Sequence, residues 1–438
     1  MKKYLLLGIA LFISLTSSAQ NILSLINRSN EFFEILEKEK FEEAHQFFDE
    51  SVQGQILPAE LKLFWTRLGI QLGDFESVDG AQNQVQDDLY LVTLNCSFTK
   101  GSQAFRFVYT KEGKLVGFFA VPQSNTPVYA SPAYADSALY KETNITIKTP
   151  GHDLAGILTT PKNGSNFPVV VLVHGSGPSD MDETIGPNKP FRDLALGLAA
   201  KGIATIRYVK RTLVFPTEFA KSFTVKEEVL DDAQAAINYA KTIAAANKQQ
   251  IYVFGHSLGG MLAPKLATLS PDLKGIVLAA APARKLTDLL IEQNKYLFEN
   301  SKDTTAEGKM QLQNVIKEIE QSRITKLGKM APDSLIIGIP AAYWVDLNLY
   351  DQVAAAKKLK NRILIFQGEN DFQVSVQDYN LWKAALNGKS NVTFKLYPEL
   401  NHLLSVQTEK GTGAQYYQKA GNVADYLIDD LAAWIKGK

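Results

Sequence analysis

The stretch that decides the fold is Ile251-Tyr252-Val253-Phe254-Gly255-His256-Ser257-Leu258-Gly259-Gly260. An uninterrupted apolar run of this length suits a strand buried on both faces of a sheet. A helical pattern follows it, so Gly-x-Ser-x-Gly lies between strand and helix, where a sharp, strained turn lifts a serine hydroxyl out of the sheet edge. Glycine is required at 255 and 259 because strand and helix pass close there. Ser257, with a helix N-terminus behind it, is the candidate nucleophile.

Outward from this turn the same rhythm repeats. Ile145–Ile147 and Leu154–Thr160 read as an opening strand pair, followed by Val169–Val173, Ile203–Arg207, Ile251–Phe254, Ile276–Ala280, Ile363–Phe366 and Val392–Leu396. Amphipathic helices separate these short apolar strands, which predicts an α/β sandwich with a mostly parallel sheet. One interval, 281–360, has no clear strand. Leu286, Leu289, Leu290 and Leu297 predict one helix there, and Met310, Leu312, Val315, Ile316 and Ile319 another. An insertion of this size at strand ends is expected to be a helical lid. Its apolar stripe should face the site, with Glu292, Lys295, Lys317 and Glu320 turned to solvent.

A serine hydroxyl needs a base. The chain has five histidines, His45, His152, His174, His256 and His402. Only His402, after the last strand, stands where such a base belongs. Asp371, at the end of strand Ile363–Phe366, is the expected acid to orient it, with Glu369 as the rival; the order Ser257, Asp371, His402 suits the elbow. His174-Gly175-Ser176-Gly177 is a glycine-rich turn after Val169–Val173, able to aim backbone N–H groups at a developing oxyanion. The expected donors are Leu258 and Ser176, with Gly177 as an alternative to Ser176. Gly175 and His256 flank the nucleophile and are candidate substrate-binding positions. Tyr343 and Trp344 read equally well as core aromatics or as pocket lining. Asp180, Asp182 and Glu183 read as a solvated acidic turn rather than a calcium loop. No Cys/His cluster has metal-ligand spacing, and no phosphate loop is present, so neither metal nor cofactor is expected.

Residues 140–438 resemble the α/β-hydrolase superfamily, and within it the EstD-like bacterial carboxylesterases of the dienelactone-hydrolase-related group. The resemblance is carried by His174-Gly175-Ser176-Gly177-Pro178, by Gly186-Pro187-Asn188-Lys189-Pro190-Phe191-Arg192-Asp193, by Gly202-Ile203-Ala204 with Arg207-Tyr208-Val209-Lys210-Arg211, and by Pro340-Ala341-Ala342-Tyr343-Trp344. Val209 stands where such relatives usually carry Asp. Dienelactone hydrolases use a cysteine nucleophile; with Ser257 here, the resemblance implies hydrolysis of small carboxylic esters through an acyl-enzyme.

Upstream, residues 20–121 read as a small α+β domain similar to cystatin-like or NTF2-like folds: helices over Asn30–Lys40 and Phe41–Phe48, a third after Pro58, then antiparallel strands. Cys96, the sole cysteine, falls on the inward face of the strand Tyr90–Thr99, where a thiol is normally inert. Residues 122–139, with three prolines, read as a linker. Residues 1–19 carry Lys2, Lys3, an apolar run and small residues before Ala19, the pattern of a cleaved signal peptide. This predicts export to the periplasm or beyond without later membrane insertion. Lys+Arg and Asp+Glu are both 46, which gives no general attraction to nucleic acid. A small-molecule ester is the expected partner, and the oligomeric state is open. Rival readings are an acyltransferase or peptidase on the same triad, and a binding protein whose hydrolase half is inert.

Overall fold

The computed structural model describes residues 25–26, 28–86, 89–110, 112–121, 129–215, 218–219 and 221–437. The expected signal peptide and residues 122–128 of the linker lie outside them. The chain divides into two compact units: residues 17–127 with 417–419, and residues 128–416 with 420–438.

In the N-terminal unit, residues 28–37 are helical, followed by helices Phe41–His45 and Pro58–Leu72. Pro58 opens the last, where its missing N–H has no cost. Four antiparallel strands follow, β1 (Phe75–Gln86), β2 (Leu89–Phe98), β3 (Gly101–Tyr109) and β4 (Leu115–Val121), paired in sequence order. Val92, Leu94, Cys96 and Phe98 are buried along β2, as the alternation requires. They pack with Phe32, Phe33, Phe105 and Phe107 in an aromatic core. β1 has no apolar alternation in Phe-Glu-Ser-Val-Asp-Gly-Ala-Gln-Asn-Gln-Val-Gln and was not expected as a strand. It forms the edge of the sheet, paired to β2 alone.

The second unit holds a sheet of eight strands. They are β5 (Tyr140–Thr149), β6 (His152–Pro161), β7 (Phe167–Val173), β8 (Ala204–Tyr208), β9 (Ala246–His256) and β10 (Gly275–Ala279), then, after the lid hairpin β11 (Leu335–Ile336) and β12 (Ile339–Pro340), β13 (Arg362–Gly368) and β14 (Val392–Tyr397). The spatial order is β14-β13-β10-β9-β7-β8-β6-β5. Only the β5–β6 and β6–β8 pairs are antiparallel. All seven residues of β7 are buried. Val169, Val171 and Val173 face one core, shared with helices Asp231–Ala240 and Leu258–Leu269; Val170 and Leu172 face the other, shared with Pro190–Ala200 and Asp425–Lys436. Burial on both faces is why these strands read as continuous apolar runs.

The chain leaves β7 for β8 on one side and returns to β9 on the other. The crevice between the C-terminal ends of β7 and β9 is therefore a topological switch point, where open α/β sheets bind their ligands. The turn 174–177 and the elbow at Ser257 both lie there, in register: Val173 pairs with Gly255.

Part of the expected linker belongs to this unit. The Tyr129 hydroxyl donates to Asp193 Oδ1 at 2.8 Å and that of Tyr134 to the Val423 carbonyl at 2.7 Å. Two anchored tyrosines make residues 129–139 a strap on this second unit. The lid comprises helices Leu286–Ser301, Ala306–Glu320, Ala341–Leu349 and Gln352–Lys358. Fully buried Asp378 pins its root, accepting from the Ala283 and Arg284 N–H groups at 2.9 and 3.0 Å and pairing with the Arg284 guanidinium. Val315 and Ile319 are buried as the helical spacing predicts, but Met310 is exposed. No helix among the described residues is long and apolar enough to cross a membrane.

Candidate active site

Ser257 sits between β9 and the helix Leu258–Leu269 with φ +51° and ψ −116°. A non-glycine residue there is strained, and such strain persists only where the surroundings over-determine it. Three close approaches do so. A Cβ on Gly255 would lie 2.2 Å from the Gly259 carbonyl oxygen, and one on Gly259 would lie 2.3 Å from that of Val173. One on Gly175 would lie 3.2 Å from Ser257 Cβ, so the turn after β7 passes directly over the serine. The Ser257 N–H donates to the Ala279 carbonyl at 2.9 Å, tying the elbow to β10.

His402 follows β14, and its Nδ1 lies 2.7 Å from Asp371 Oδ2. Asp371 is fully buried and has all its acceptor capacity in use. Oδ1 accepts the N–H groups of Gln373 and Val374 at 2.8 and 2.9 Å, and Oδ2 also accepts from Gln367 Nε2 at 3.0 Å. Glu369, the rival, is exposed. A carboxylate at Nδ1 fixes the histidine tautomer that leaves Nε2 free to take a proton.

His256, the residue before the serine, joins this group instead of facing a substrate. Its Nε2–H donates to the His402 carbonyl at 2.8 Å, and its ring lies 4.7 Å from that of His402. Its Nδ1 lies 2.9 Å from Glu183 Oε2, close enough for an ion pair but without the alignment of a good hydrogen bond. Burial works to lower the His256 pKa, yet the Glu183 carboxylate and the His402 carbonyl outweigh it and hold it above its ordinary value. Burial likewise works to raise Glu183, and the two imidazoles with the Gly175 N–H hold it below the usual carboxylate value.

The acidic turn is therefore not solvated, contrary to the expectation from its charge. Asp182 and Glu183 are buried. Asp182 pairs with Arg207, and Asp180 accepts the Thr184 hydroxyl at 2.6 Å. Among the described residues no cluster of His, Cys, Asp or Glu is arranged to hold a metal ion. His174 turns inward, its Nε2 2.9 Å from the Asp180 carbonyl; burial pushes its pKa down to about 4, so the ring is neutral.

The turn over the serine is held by two carboxylates, one of them Glu183 of the turn expected to be solvated. The Gly175 N–H donates to Glu183 Oε1 at 2.7 Å and the Gly177 N–H to Glu228 Oε1 at 2.8 Å. Both neighbours of Ser176 thus have their amides engaged, and Gly177 is removed as an oxyanion donor. Leu258 opens its helix, so its N–H has no intrahelical partner. Glu228 lies in a π-helical turn, Lys226–Leu230, a geometry often found at functional sites. Nothing in the local pattern marks Glu228. Lys210, buried directly after β8, was visible only as part of a motif.

Tyr343 and Trp344 are both buried. The Tyr343 hydroxyl faces the Glu228 carboxylate, which is held below its ordinary pKa in part by that hydroxyl. Trp344 Nε1 donates to the Ile336 carbonyl at 3.0 Å inside the lid's own small core. Trp344 is thus a core aromatic. The lid meets the site through Tyr296 and Leu297, which pack on Phe372 and Leu403, the residues following Asp371 and His402. Beside this contact opens a cleft of about 740 Å³, lined by Phe372 and by charged lid residues including Arg284, Asp288, Glu292, Lys295 and Arg323. Neither Ser257 nor His402 lines it.

Residues 222–409 match the family model described as serine aminopeptidase, S33, and residues 29–118 match a family of proteins of unknown function, DUF3887. The chain is 35% identical over 404 residues to Esterase EstD of Thermotoga maritima, covering 92% of this chain and 93% of that one. Among solved structures, Est1E from Butyrivibrio proteoclasticus aligns with a TM-score of 0.43 at 14% identity over 67% of this chain and 99% of its own. A putative dipeptidyl aminopeptidase IV from Bacteroides ovatus aligns with a TM-score of 0.48 at 14% identity over 82% of this chain, which spans 43% of that protein's length.

Proposed function

The chain belongs to the EstD-like esterase family of the α/β-hydrolase superfamily, and from that premise we propose that it is a serine carboxylesterase acting on small esters through Ser257, His402 and Asp371. The observation that carries this reading is the buried 2.7 Å contact between His402 Nδ1 and Asp371 Oδ2, tied to the elbow through His256. Ser257 Oγ bonds to the ester carbonyl carbon as its proton passes to His402 Nε2, and the carbonyl π pair moves onto oxygen. The Leu258 and Ser176 N–H groups receive that oxyanion. Its collapse re-forms the carbonyl and expels the alkoxide, which takes the proton from His402. Water then repeats the sequence on the acyl-enzyme, giving the acid and free Ser257. Asp371 stabilises the imidazolium in both halves.

The charged surroundings of the lid support small, polar esters over an emulsified lipid surface. We also propose that residues 1–19 direct export. The test is turnover of the mature protein on acetyl, butyryl and long-chain nitrophenyl esters, with Ser257→Ala as control. A folded Ser257→Ala protein is expected to lose about 10⁴ or more in turnover; wild-type activity in it would overturn the reading. A peptidase reading on the same residues is supported by the match of 222–409 to serine aminopeptidases. Aminoacyl anilides in the same panel separate the two.

A further inference from the structure

Lys210 is 2% exposed, and all three protons of its ammonium are used. It donates to the Gly175 carbonyl at 2.9 Å, the Gly177 carbonyl at 2.6 Å and Glu228 Oε1 at 2.9 Å. The first of these acceptors matters most. The Gly175 C=O and the Ser176 N–H belong to one peptide unit, which is trans, so they point in opposite directions. An ammonium seated on that carbonyl leaves the Ser176 N–H directed away from Lys210, on a turn that passes over Ser257.

Glu228 fixes the next peptide in the opposite sense. It accepts the Gly177 N–H at 2.8 Å and Lys210 Nζ at 2.9 Å, and it faces the Tyr343 hydroxyl. Burial works to raise its pKa; Lys210, Tyr343 and the Gly177 amide outweigh that and keep it ionised, below its ordinary value. The π-helical turn Lys226–Leu230 and the lid helix Ala341–Leu349 thus supply one carboxylate and one hydroxyl to the back of a single loop.

We propose that Lys210, locked by Glu228 and Tyr343, is a positioning residue that aims and polarises the Gly175–Ser176 peptide, making the Ser176 N–H a stronger donor to the oxyanion. Charge on the carbonyl side draws electron density toward oxygen and leaves the N–H more positive, and the ammonium that supplies it is itself buried, where its field is less screened. The effect grows as negative charge develops on the substrate oxygen, so it is expressed in the transition state and not in ground-state binding. The inference rests on the serine-esterase reading above.

The test compares wild type, Lys210→Met, and Lys210→Met/Glu228→Gln. The double variant removes the lone buried carboxylate that the single one leaves, which would otherwise destabilise the fold. Rates are expressed per serine titrated to completion with a fluorophosphonate, so only folded enzyme counts. Loss of a whole oxyanion donor typically costs about 10²–10³ in turnover, and for a group acting through one the expected loss is about 10–100-fold in kcat in both variants. KM should change little. Inhibition by phenylboronic acid, whose serine adduct places an anionic oxygen in the same hole, should weaken by the same factor as kcat falls. A kcat and boronate affinity within about twofold of wild type, or a rise in KM at constant kcat, would overturn the proposal. Ser257→Ala in parallel separates the failures. Activity in that variant sinks the serine reading, whereas an inactive Ser257→Ala beside a fully active Lys210→Met sinks this inference alone.

Discussion

Replacing Asp371 by asparagine changes one atom and should nearly silence the enzyme. Oδ1 of the carboxylate accepts two backbone N–H groups, from Gln373 and Val374, while Oδ2 accepts His402 and the Gln367 amide. An asparagine oxygen must therefore take the Oδ1 position, since an NH₂ there would face two donors that cannot turn away. Its NH₂ then points at His402 Nδ1 and becomes a donor where an acceptor stood. The imidazole must accept at Nδ1 and carry its proton on Nε2, the tautomer unable to take the Ser257 proton. In serine hydrolases a histidine locked in the wrong tautomer costs about 10⁴ in kcat, or about 5 kcal/mol of barrier. Gln367 cannot relieve the clash by flipping, because its NH₂ also serves the Gly368 and Val374 carbonyls at 3.1 and 2.8 Å. A stability loss of about 1–3 kcal/mol should accompany the change. The assay is kcat on nitrophenyl acetate beside a urea melt, with Glu369→Gln as the comparison. Glu369→Gln should stay within about twofold. A folded Asp371→Asn protein within tenfold of wild type, or a large loss in Glu369→Gln, would refute the assignment.

Other consequences follow from the same geometry. His174 is held neutral with a pKa near 4 against an ordinary 6.5, so the unfolded chain takes up a proton before the folded one. Stability is then fully present above pH 6.5 and falls by about 1.4 kcal/mol per unit toward pH 4, about 3 kcal/mol in all. Urea midpoints of wild type and His174→Gln between pH 7 and 4.5 check this, and parallel slopes would count against it. Gly259→Ala drives a methyl to 2.3 Å from the Val173 carbonyl oxygen. It should cost about 3 kcal/mol or more, read as a fall in thermal midpoint; an unchanged midpoint would mean the elbow is looser than described. With charged lid residues beside the site, turnover should fall from acetyl to long-chain nitrophenyl esters and show no jump at an emulsified interface. Rising rates with chain length would contradict that.

Much of the fold was legible because its signals are local. β7, β9 and β10 are buried on both faces, so each reads as an apolar run bounded by turn residues. The glycines at 255 and 259 announce the elbow because no side chain fits there. Asp371 and His402 could be placed because each follows a readable strand. β1 failed for the opposite reason: an edge strand paired on one side needs no apolar alternation. Met310 failed because helical spacing identifies a face without saying how far along the helix that face stays covered.

The groups that hold the turn after β7 were illegible for a deeper reason. Glu183, Lys210 and Glu228 are charged residues, and a sequence pattern assigns such residues to solvent. They are buried because each meets partners outside its own segment: Glu183 with Gly175 and His256, Lys210 with Gly175, Gly177 and Glu228. A buried charge is tolerable only when paired and hydrogen-bonded, and periodicity carries no record of that pairing. The same argument reassigns His256 and Tyr343. A histidine next to a nucleophile and a tyrosine on a lid both look like substrate contacts, yet each has its polar atoms committed to a buried carboxylate or carbonyl. On the proposed reading the substrate oxygen meets backbone, the Ser176 and Leu258 amides, while the buried charges of Glu183, Lys210 and Glu228 hold the peptides on either side of Ser176.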